Sequence, residues 1–368
     1  MTSTLELFWQ EKTVFITGHT GFKGSWLSLW LQQLGAKVVG FSLPPPTTPN
    51  LFTIANVSDG MTSLMGNICD YPLLKAALLE HSPDIVIHMA AQSLVRYSYQ
   101  EPIETYATNV MGTVHLLEAV KQTDSVKAVV NVTTDKCYDN QEWWWGYRET
   151  DRLGGCDPYS SSKACSELVT SAYHHAFYQS QKIAIASARA GNVIGGGDWA
   201  LDRLIPDMIR AAMDKRSVKI RYPEAKRPWQ HVLEPLYGYL LLAEHLYHSP
   251  LQYSGAWNFG PNEHDVKSVR WVADFITKQL SHTKGWELDT HPHHHESLLL
   301  MLDCAKAKTK LHWQPQWSIE KALEETMYWY QAYYSNQCMR DVTLLQMTQF
   351  LNQANTNIQQ APFKEEIV

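Results

Sequence analysis

The stretch Thr13–Leu43, TVFITGHTGFKGSWLSLWLQQLGAKVVGFSL, decides the fold. Its first residues, TVFIT, form a short apolar and β-branched run of the length of a buried strand. Glycines follow at Gly18, Gly21 and Gly24. Trp26, Leu27, Leu29, Trp30, Leu31 and Leu34 then suit the packed face of a helix that ends at Gly35. KVVGFSL resumes a strand, and the whole is a β-α-β unit. Glycines at such a turn let the backbone bend tightly and approach a pyrophosphate, whose charge the helix N-terminus stabilises. The spacing is G-x-x-G-x-x-G rather than the commoner G-x-G-x-x-G. Three glycines alone could be turn punctuation, but their place between a strand and a helix favours the phosphate reading.

Outward from this unit, DIVIHMA, KAVVNVTT and IAIASARA are further strands, separated by helices such as ATNVMGTVHLLEAV. The pattern predicts an α/β fold with a Rossmann-type doubly wound parallel sheet, buried on both faces. The NAD-binding domain is expected over 1–193, with parts of the later chain returning to it. A smaller C-terminal α/β substrate domain is expected over 194–350. A tail follows over 351–368, beginning as a surface helix.

With 45% apolar and 18% charged residues, 368 residues suffice for a large core. A net charge of −6 with scattered Lys and Arg argues against a nucleic-acid partner. No apolar run reaches about 18 residues and no leader is evident, so a cytoplasmic protein without membrane contact is expected. The six cysteines lack C-x-x-C spacing, which suggests neither a disulfide framework nor a zinc site. His291, His293, His294 and His295 form one tract, read as a solvated loop with no metal.

Three short motifs carry chemistry. At the end of the second strand stands Ser42, where an acid would hold an NAD ribose, and no basic residue occurs from Val38 to Asn50. The missing base favours NAD over NADP. PYSSSK sets Tyr159 and Lys163 one helical turn apart, so an ammonium beside a phenol would lower the phenol toward the working pH. An ordinary amphipathic helix would also show this spacing. In VVNVTTDKCYDN a hydroxyl pair, Thr133 and Thr134, is followed by Asp135 and Lys136 at a predicted strand end, where α/β sheets bind ligands. A charged loop start is the alternative.

Together TGHTGFKG, HMAAQS, TNVMGT, TTDK, PYSSSK and ARAGNVIGGGDW resemble the extended short-chain dehydrogenase/reductase family over nearly the whole chain. The resemblance implies NAD as cofactor, with Gly18, Thr20, Gly21, Phe22, Lys23 and Gly24 in the cofactor loop. It implies Asn67 and Ile68 at the adenine, with Asn67 standing where Asp is usual. Ala90, Ala91 and Gln92 would lie along the cofactor, and Asn109 would face it. Thr134 would hydrogen-bond the substrate hydroxyl, Tyr159 accept its proton, and Lys163 orient the tyrosine and the nicotinamide ribose.

Asp135 and Lys136 exceed what a 4-epimerase or net dehydrogenase needs, and such an acidic pair resembles that of the nucleotide-sugar 4,6-dehydratases, with Lys for the usual Glu. The implied chemistry is oxidation at C4, loss of water across C5 and C6, and hydride return to C6. Lys136 would take the C5 proton and Asp135 donate to the leaving hydroxyl. Alternatively, Lys136 orients the substrate and another group takes the proton. The resemblance alone implies CDP-glucose as substrate, serving deoxysugar synthesis for a surface polysaccharide such as the O-antigen of lipopolysaccharide. Asn192, Arg203 and Arg227 are its phosphate candidates, with Trp229 as a stacking surface. It also implies a homodimer or homotetramer through the Asn109 and Tyr159 helices. Leu116, Leu117, Val120, Leu168, Val169, Ala172 and Phe177 suit that face, or the interior of one subunit. Trp143, Trp144 and Trp145 wall the sugar pocket, meet a subunit, or pack locally.

Overall fold

In a computed structural model describing residues 4–280, 284–293 and 296–360, seven strands form one sheet: β1 Thr13–Thr17, β2 Lys37–Ser42, β3 Thr62–Met65, β4 Ile85–His88, β5 Ala128–Val132, β6 Ala184–Arg189 and β7 Gly255–Asn258. All pairings are parallel and the spatial order is β7-β6-β5-β4-β1-β2-β3. Between β1 and β4 the chain reverses its direction of progress across the sheet. A crevice opens at such a switch point, outside the carboxyl ends of the strands.

Alternate side chains of each strand point to opposite faces and both faces are covered. Val14, Ile16, Ile85, Ile87, Val130 and Val132 join one core with the helices Phe22–Gln33 and Leu233–His248. Phe15, Val86, Val129 and Ile185 join the other, with Tyr71–His81 and Gly112–Lys121. Leu116, Leu117 and Val120 are fully buried in that second core, so of the two readings of this stripe the intramolecular one holds. Exposed apolar residues of the same helical layer include Ile103, Met111, Leu168 and Phe177.

Two strands escape a local reading. The edge strand β3, TSLM, is half exposed and has no apolar run to announce it. β7 pairs with β6 after 65 intervening residues, 190–254, so the sheet is completed from beyond residue 194. The later chain otherwise supplies two-stranded pieces, Val218–Ile220 with Trp286–Leu288 and Lys226–Arg227 with Lys267–Ser268, and the helices Leu204–Met213 and Val269–Gln279. The last helix, Met339–Gln360, crosses residue 351 unbroken. One face of it is packed, with Met347, Phe350 and Ala354 fully buried and Phe350 edge-on against Trp30, Tyr237 and Trp317, while Asn352, Gln353 and Thr356 stay exposed. No described helix is long and apolar enough to cross a membrane. All six cysteines are free.

Candidate active site

A cleft of about 2150 Å³ runs along the carboxyl ends of the strands and passes between the sheet and the later chain. The structure places nineteen of the predicted site residues in its walls: Gly18, Thr20, Gly21, Phe22, Lys23, Gly24, Asn67, Ile68, Ala90, Ala91, Gln92, Thr134, Asp135, Lys136, Tyr159, Asn192, Arg203, Arg227 and Trp229. Lys163 and Asn109 lie behind the wall, both buried.

The glycine turn is built for close approach. Gly18 has φ +80°, and a Cβ there would stand 2.7 Å from Ala90 N, so β1 and the loop after β4 meet through it. Gly21 caps the helix Phe22–Gln33 without a side chain, and a Cβ there would meet only Gly18 O, at 3.4 Å, and otherwise take space on the cleft side. The first N–H groups of that helix are thus left open to an anion such as a pyrophosphate. Thr20 Oγ1 hydrogen-bonds Ser42 Oγ and donates to Leu43 O, both at 2.8 Å. Of the described residues lining the cleft from 41 to 69, none is charged. This end fits an unphosphorylated adenosine ribose.

A network that the sequence did not announce fixes the switch point. Thr17 Oγ1 accepts from Met89 N and Ala90 N, each at 3.1 Å, and so donates to His88 Nδ1 at 2.7 Å. His88 Nε2 meets Thr113 Oγ1 at 3.2 Å, which in turn donates to Asn109 O. Burial, helped by Lys163, pushes His88 down to about 3, so the ring is neutral and can carry this chain of donors. Asn109 lies behind the cleft wall, not on it. Its amide accepts from Gln92 N at 2.9 Å and donates to Gln92 O and Ser162 Oγ, because a buried amide must spend its polar atoms on near neighbours. It fastens the Ala90–Gln92 segment from behind.

At the end of β5, Thr133 Oγ1 donates to Glu167 Oε1 at 2.5 Å. Glu167 also receives Arg189 Nε and Nη2, each at 2.9 Å, and Ser187 Oγ at 2.5 Å. Burial works against the Glu167 carboxylate, yet the paired Arg189 and the hydroxyl donors outweigh it and hold it below its ordinary value. Thr134 and Asp135, next along, turn into the cleft. Thr134 Oγ1 donates to Asp135 Oδ1 at 3.1 Å, while the buried Oδ2 has no protein partner. Gly191 makes room for that carboxyl, since a Cβ there would sit 1.7 Å from Asp135 Oδ2. Lys136 is half-buried, lines the same cleft and forms no ion pair with Asp135.

Tyr159 hydrogen-bonds Thr134, and Lys163 Nζ donates to Val132 O at 3.2 Å, one residue before the two threonines. The lowered phenol expected from the Tyr-Lys spacing is reversed in the protein alone: burial drives Tyr159 up to about 12, against the opposing Thr134 hydrogen bond, so it rests as the phenol. Burial likewise brings Lys163 down to about 8. Burial, with Lys163 and Arg203 as like charges, brings Lys23 down to about 7.

On the opposite wall Arg203 is bound to Asp198 at 2.8 Å and reaches Ser93 Oγ at 3.2 Å. Arg227 is buried but borders the cleft, with Glu296 3.7 Å away. Asn192, at φ +47°, keeps an unpartnered buried Oδ1. Trp229 anchors its ring through Nε1 to Lys267 O at 3.0 Å. Trp143 stacks on Tyr147 and lies beside Trp145, with Trp144 largely exposed, so the triple-tryptophan loop packs locally on one side and faces outward on the other. His291 and His293 both bind Asp289, at 2.7 and 3.1 Å; His294 and His295 lie outside the described residues.

A parallel sheet with a phosphate-ready turn at its switch point, and a Thr-Tyr-Lys set at the next strand end, defines a nucleotide-dependent enzyme of the short-chain dehydrogenase/reductase type. The GDP-mannose 4,6 dehydratase family model matches residues 15–326, and the chain belongs to that family. A CDP-glucose 4,6-dehydratase of Salmonella typhimurium is 53% identical over 331 residues, covering 89% of this chain and 92% of the relative. Among solved structures, dTDP-glucose 4,6-dehydratase of Bacillus anthracis in complex with NAD superposes with a TM-score of 0.73 at 26% identity, over 89% of this chain and 98% of that one. UDP-glucose 4-epimerase of Thermotoga maritima with UDP-glucose gives 0.76 at 21% identity, over 88% and 99%, a likeness of fold.

Proposed function

We propose that this protein dehydrates CDP-D-glucose to CDP-4-keto-6-deoxy-D-glucose with bound NAD. The observation that carries the reading is the neighbourhood at the end of β5: a buried carboxyl with one bare oxygen, Asp135, beside an amine with no ion-pair partner among the described residues, Lys136, both on the cleft that Tyr159 and Thr134 share. The near full-length likeness to a CDP-glucose 4,6-dehydratase supports the substrate and the reaction. The open helix N-terminus at Gly21, the uncharged ribose end and the likeness to an NAD-bound dehydratase support NAD.

Bound NAD supplies the hydride acceptor for C4 and the hydride donor for C6. Tyr159 takes the O4 proton, held toward it by Thr134. Its phenolate becomes accessible when Lys163 is ammonium and a cationic ring lies nearby. The C4 ketone acidifies C5. Lys136 then removes the C5 proton while Asp135, as the acid, donates to the departing C6 hydroxyl. Charges of this kind act strongly here because the cleft floor is buried and its dipoles are fixed in advance. Arg227, Asn192 and Arg203 face the diphosphate, with Trp229 behind it. The six free thiols suit a reducing cytoplasm. The exposed Ile103, Met111, Leu168 and Phe177 suit a homodimer or homotetramer through these helices, and the product suits deoxysugar synthesis for a surface polysaccharide such as O-antigen.

Incubation with CDP-glucose and catalytic NAD should yield a 4-keto-6-deoxy product, read by NMR, without NADH building up. Stoichiometric NADH would make the protein a net dehydrogenase, CDP-galactose an epimerase, and faster turnover of dTDP- or UDP-glucose would overturn the cytidine assignment.

A further inference from the structure

The segment that leaves β2 forms one wall of the cleft before the chain returns to the sheet at β3. Leu43, Pro44, Pro46, Thr47, Asn50 and Leu51 line the cleft at its uncharged ribose end. Asn50 caps the short helix Leu51–Ile54, its Oδ1 accepting from Thr53 N at 2.8 Å and its Nδ2 donating to Thr47 O at 3.0 Å. Leu51 abuts the later chain, for a Cβ on Gly197 would stand 2.9 Å from its own. Behind the cleft, where this helix ends, one side chain of the last helix fastens the segment. Arg340 Nη1 donates to Asn56 O at 2.6 Å and Ala55 O at 3.4 Å, and Nη2 to Gln32 Oε1 at 3.0 Å and Asp59 O at 3.3 Å. Gln32 belongs to the helix that follows the glycine turn, and its Nε2 donates to Val57 O at 2.8 Å. The helix Phe22–Gln33, the cleft segment and the last helix thus meet at one guanidinium. All four acceptors are neutral oxygens, spread so that the planar fork can serve them together where a single ammonium cannot.

We propose that Arg340 is a positioning residue for retention of the dinucleotide: it holds the 43–60 segment against the helix Phe22–Gln33, and so keeps the wall of the adenosine end in place while the cofactor is reduced. This rests on the NAD reading above. The need for such a hold follows from the reaction. Hydride taken from C4 must wait on the cofactor through the loss of water before it returns to C6. NADH that escapes in that interval leaves a 4-keto nucleotide with no hydride to complete it. The glycine turn serves the pyrophosphate, and Lys163 the nicotinamide ribose. The adenosine end has the 43–60 segment, which no strand of the sheet crosses, so its stiffness comes from the Asn50 cap in front and from Arg340 behind. The helix that carries Arg340, Met339–Gln360, lies wholly beyond the residues that the family match covers, so this hold stands outside the shared catalytic core.

Dissociation of NADH from the full-length protein, followed by its fluorescence as excess NAD displaces it, tests this. In Arg340→Met the rate should rise by about three- to tenfold, the scale of a few hydrogen bonds from a charged donor near solvent. KM for NAD should rise by a similar factor, while kcat for CDP-glucose at saturating NAD stays within about twofold. Turnover in the presence of pyruvate and lactate dehydrogenase counts the escapes, because each free NADH reduces one pyruvate to lactate and is returned as NAD. Lactate formed per product should rise in step with the dissociation rate. Arg340→Lys keeps the charge but loses the fork, and should fall between the two. Gln346→Leu removes the 2.8 Å bonds from the same helix to Glu325, away from the cleft segment. It should lower the unfolding midpoint and leave NADH dissociation unchanged. An unchanged dissociation rate in Arg340→Met, or an equal rise in Gln346→Leu, would overturn the role of Arg340 while leaving the NAD reading intact. Failure of the unaltered protein to bind either dinucleotide would remove both.

Discussion

Behind the catalytic strand end, Arg189 and Glu167 are each 3% exposed, joined by two bonds of 2.9 Å, and every oxygen of the carboxylate is taken. Across the cleft mouth the charges form a chain of a different kind. Arg96 meets Asp202 at 2.5 Å, Arg221 reaches Asp202 at 3.6 Å and Glu296 at 3.1 Å, and Glu296 borders Arg227 at 3.7 Å, with most of these groups a fifth to a half exposed. The first cluster cannot exchange partners without leaving a buried charge. The second can, at small cost, because water substitutes for any partner that leaves. Chemistry therefore sits on a fixed floor, and substrate phosphates would enter at a wall whose ion pairs they can replace.

The largest effect should come from the floor itself. Tyr159→Phe removes the group that takes the O4 proton, and turnover should fall by about 10³-fold while NAD affinity, measured by titration, changes little. Glu167→Gln should act on stability rather than on a chemical step. It leaves the buried Arg189 guanidinium with Tyr138 Oη and Glu149 O but without its carboxylate, for which a loss of about 3–5 kcal/mol is expected in urea unfolding, with the slope against denaturant unchanged. A shift below about 1 kcal/mol would mean that the pair is as exchangeable as those at the mouth.

Gly191→Ala tests how tightly the floor is fixed. The new Cβ would fall 1.7 Å from Asp135 Oδ2, so the carboxyl must move by an ångström or more. A displacement of that size costs about a hundredfold in rate. The loss should fall on elimination and spare oxidation, so NADH should build up in a single turnover. Lys136→Met should show the same accumulation, and deuterium exchange at C5 should cease; exchange at the original rate would assign the C5 proton to another base.

How far these regions were legible differs for a physical reason. The β-α-β unit, the strand end TTDK and the Tyr-Lys turn announce themselves because each is a local pattern of period, glycine or spacing. The groups that hold them in place are local to nothing. Glu167 and Arg189 are 22 residues apart, Arg340 and Asn56 are 284 apart, and β7 reaches β6 only after the later chain has folded back. Thr17, His88 and Asn109 look like ordinary polar residues until the switch point brings them together. The spacing of Tyr159 and Lys163 records their nearness but not their burial, which in the protein alone outweighs the neighbours and pushes the phenol up.

The smallest effect should come from the mouth. Glu296 sits within reach of both Arg221 and Arg227, so an entering diphosphate competes with a carboxylate already there. Glu296→Gln keeps the shape and removes the competitor. Arg227 then loses its ion-pair partner and Arg221 keeps only Asp202, so the wall becomes more positive, and KM for the nucleotide sugar should fall by about two- to fivefold with kcat unchanged, the scale of a partly exposed pair. Because the gain is electrostatic and near solvent, it should shrink as salt is raised from 0.05 to about 0.5 M. A rise in KM instead would mean that Glu296 holds Arg227 in its binding position, and the mouth would then be as fixed as the floor.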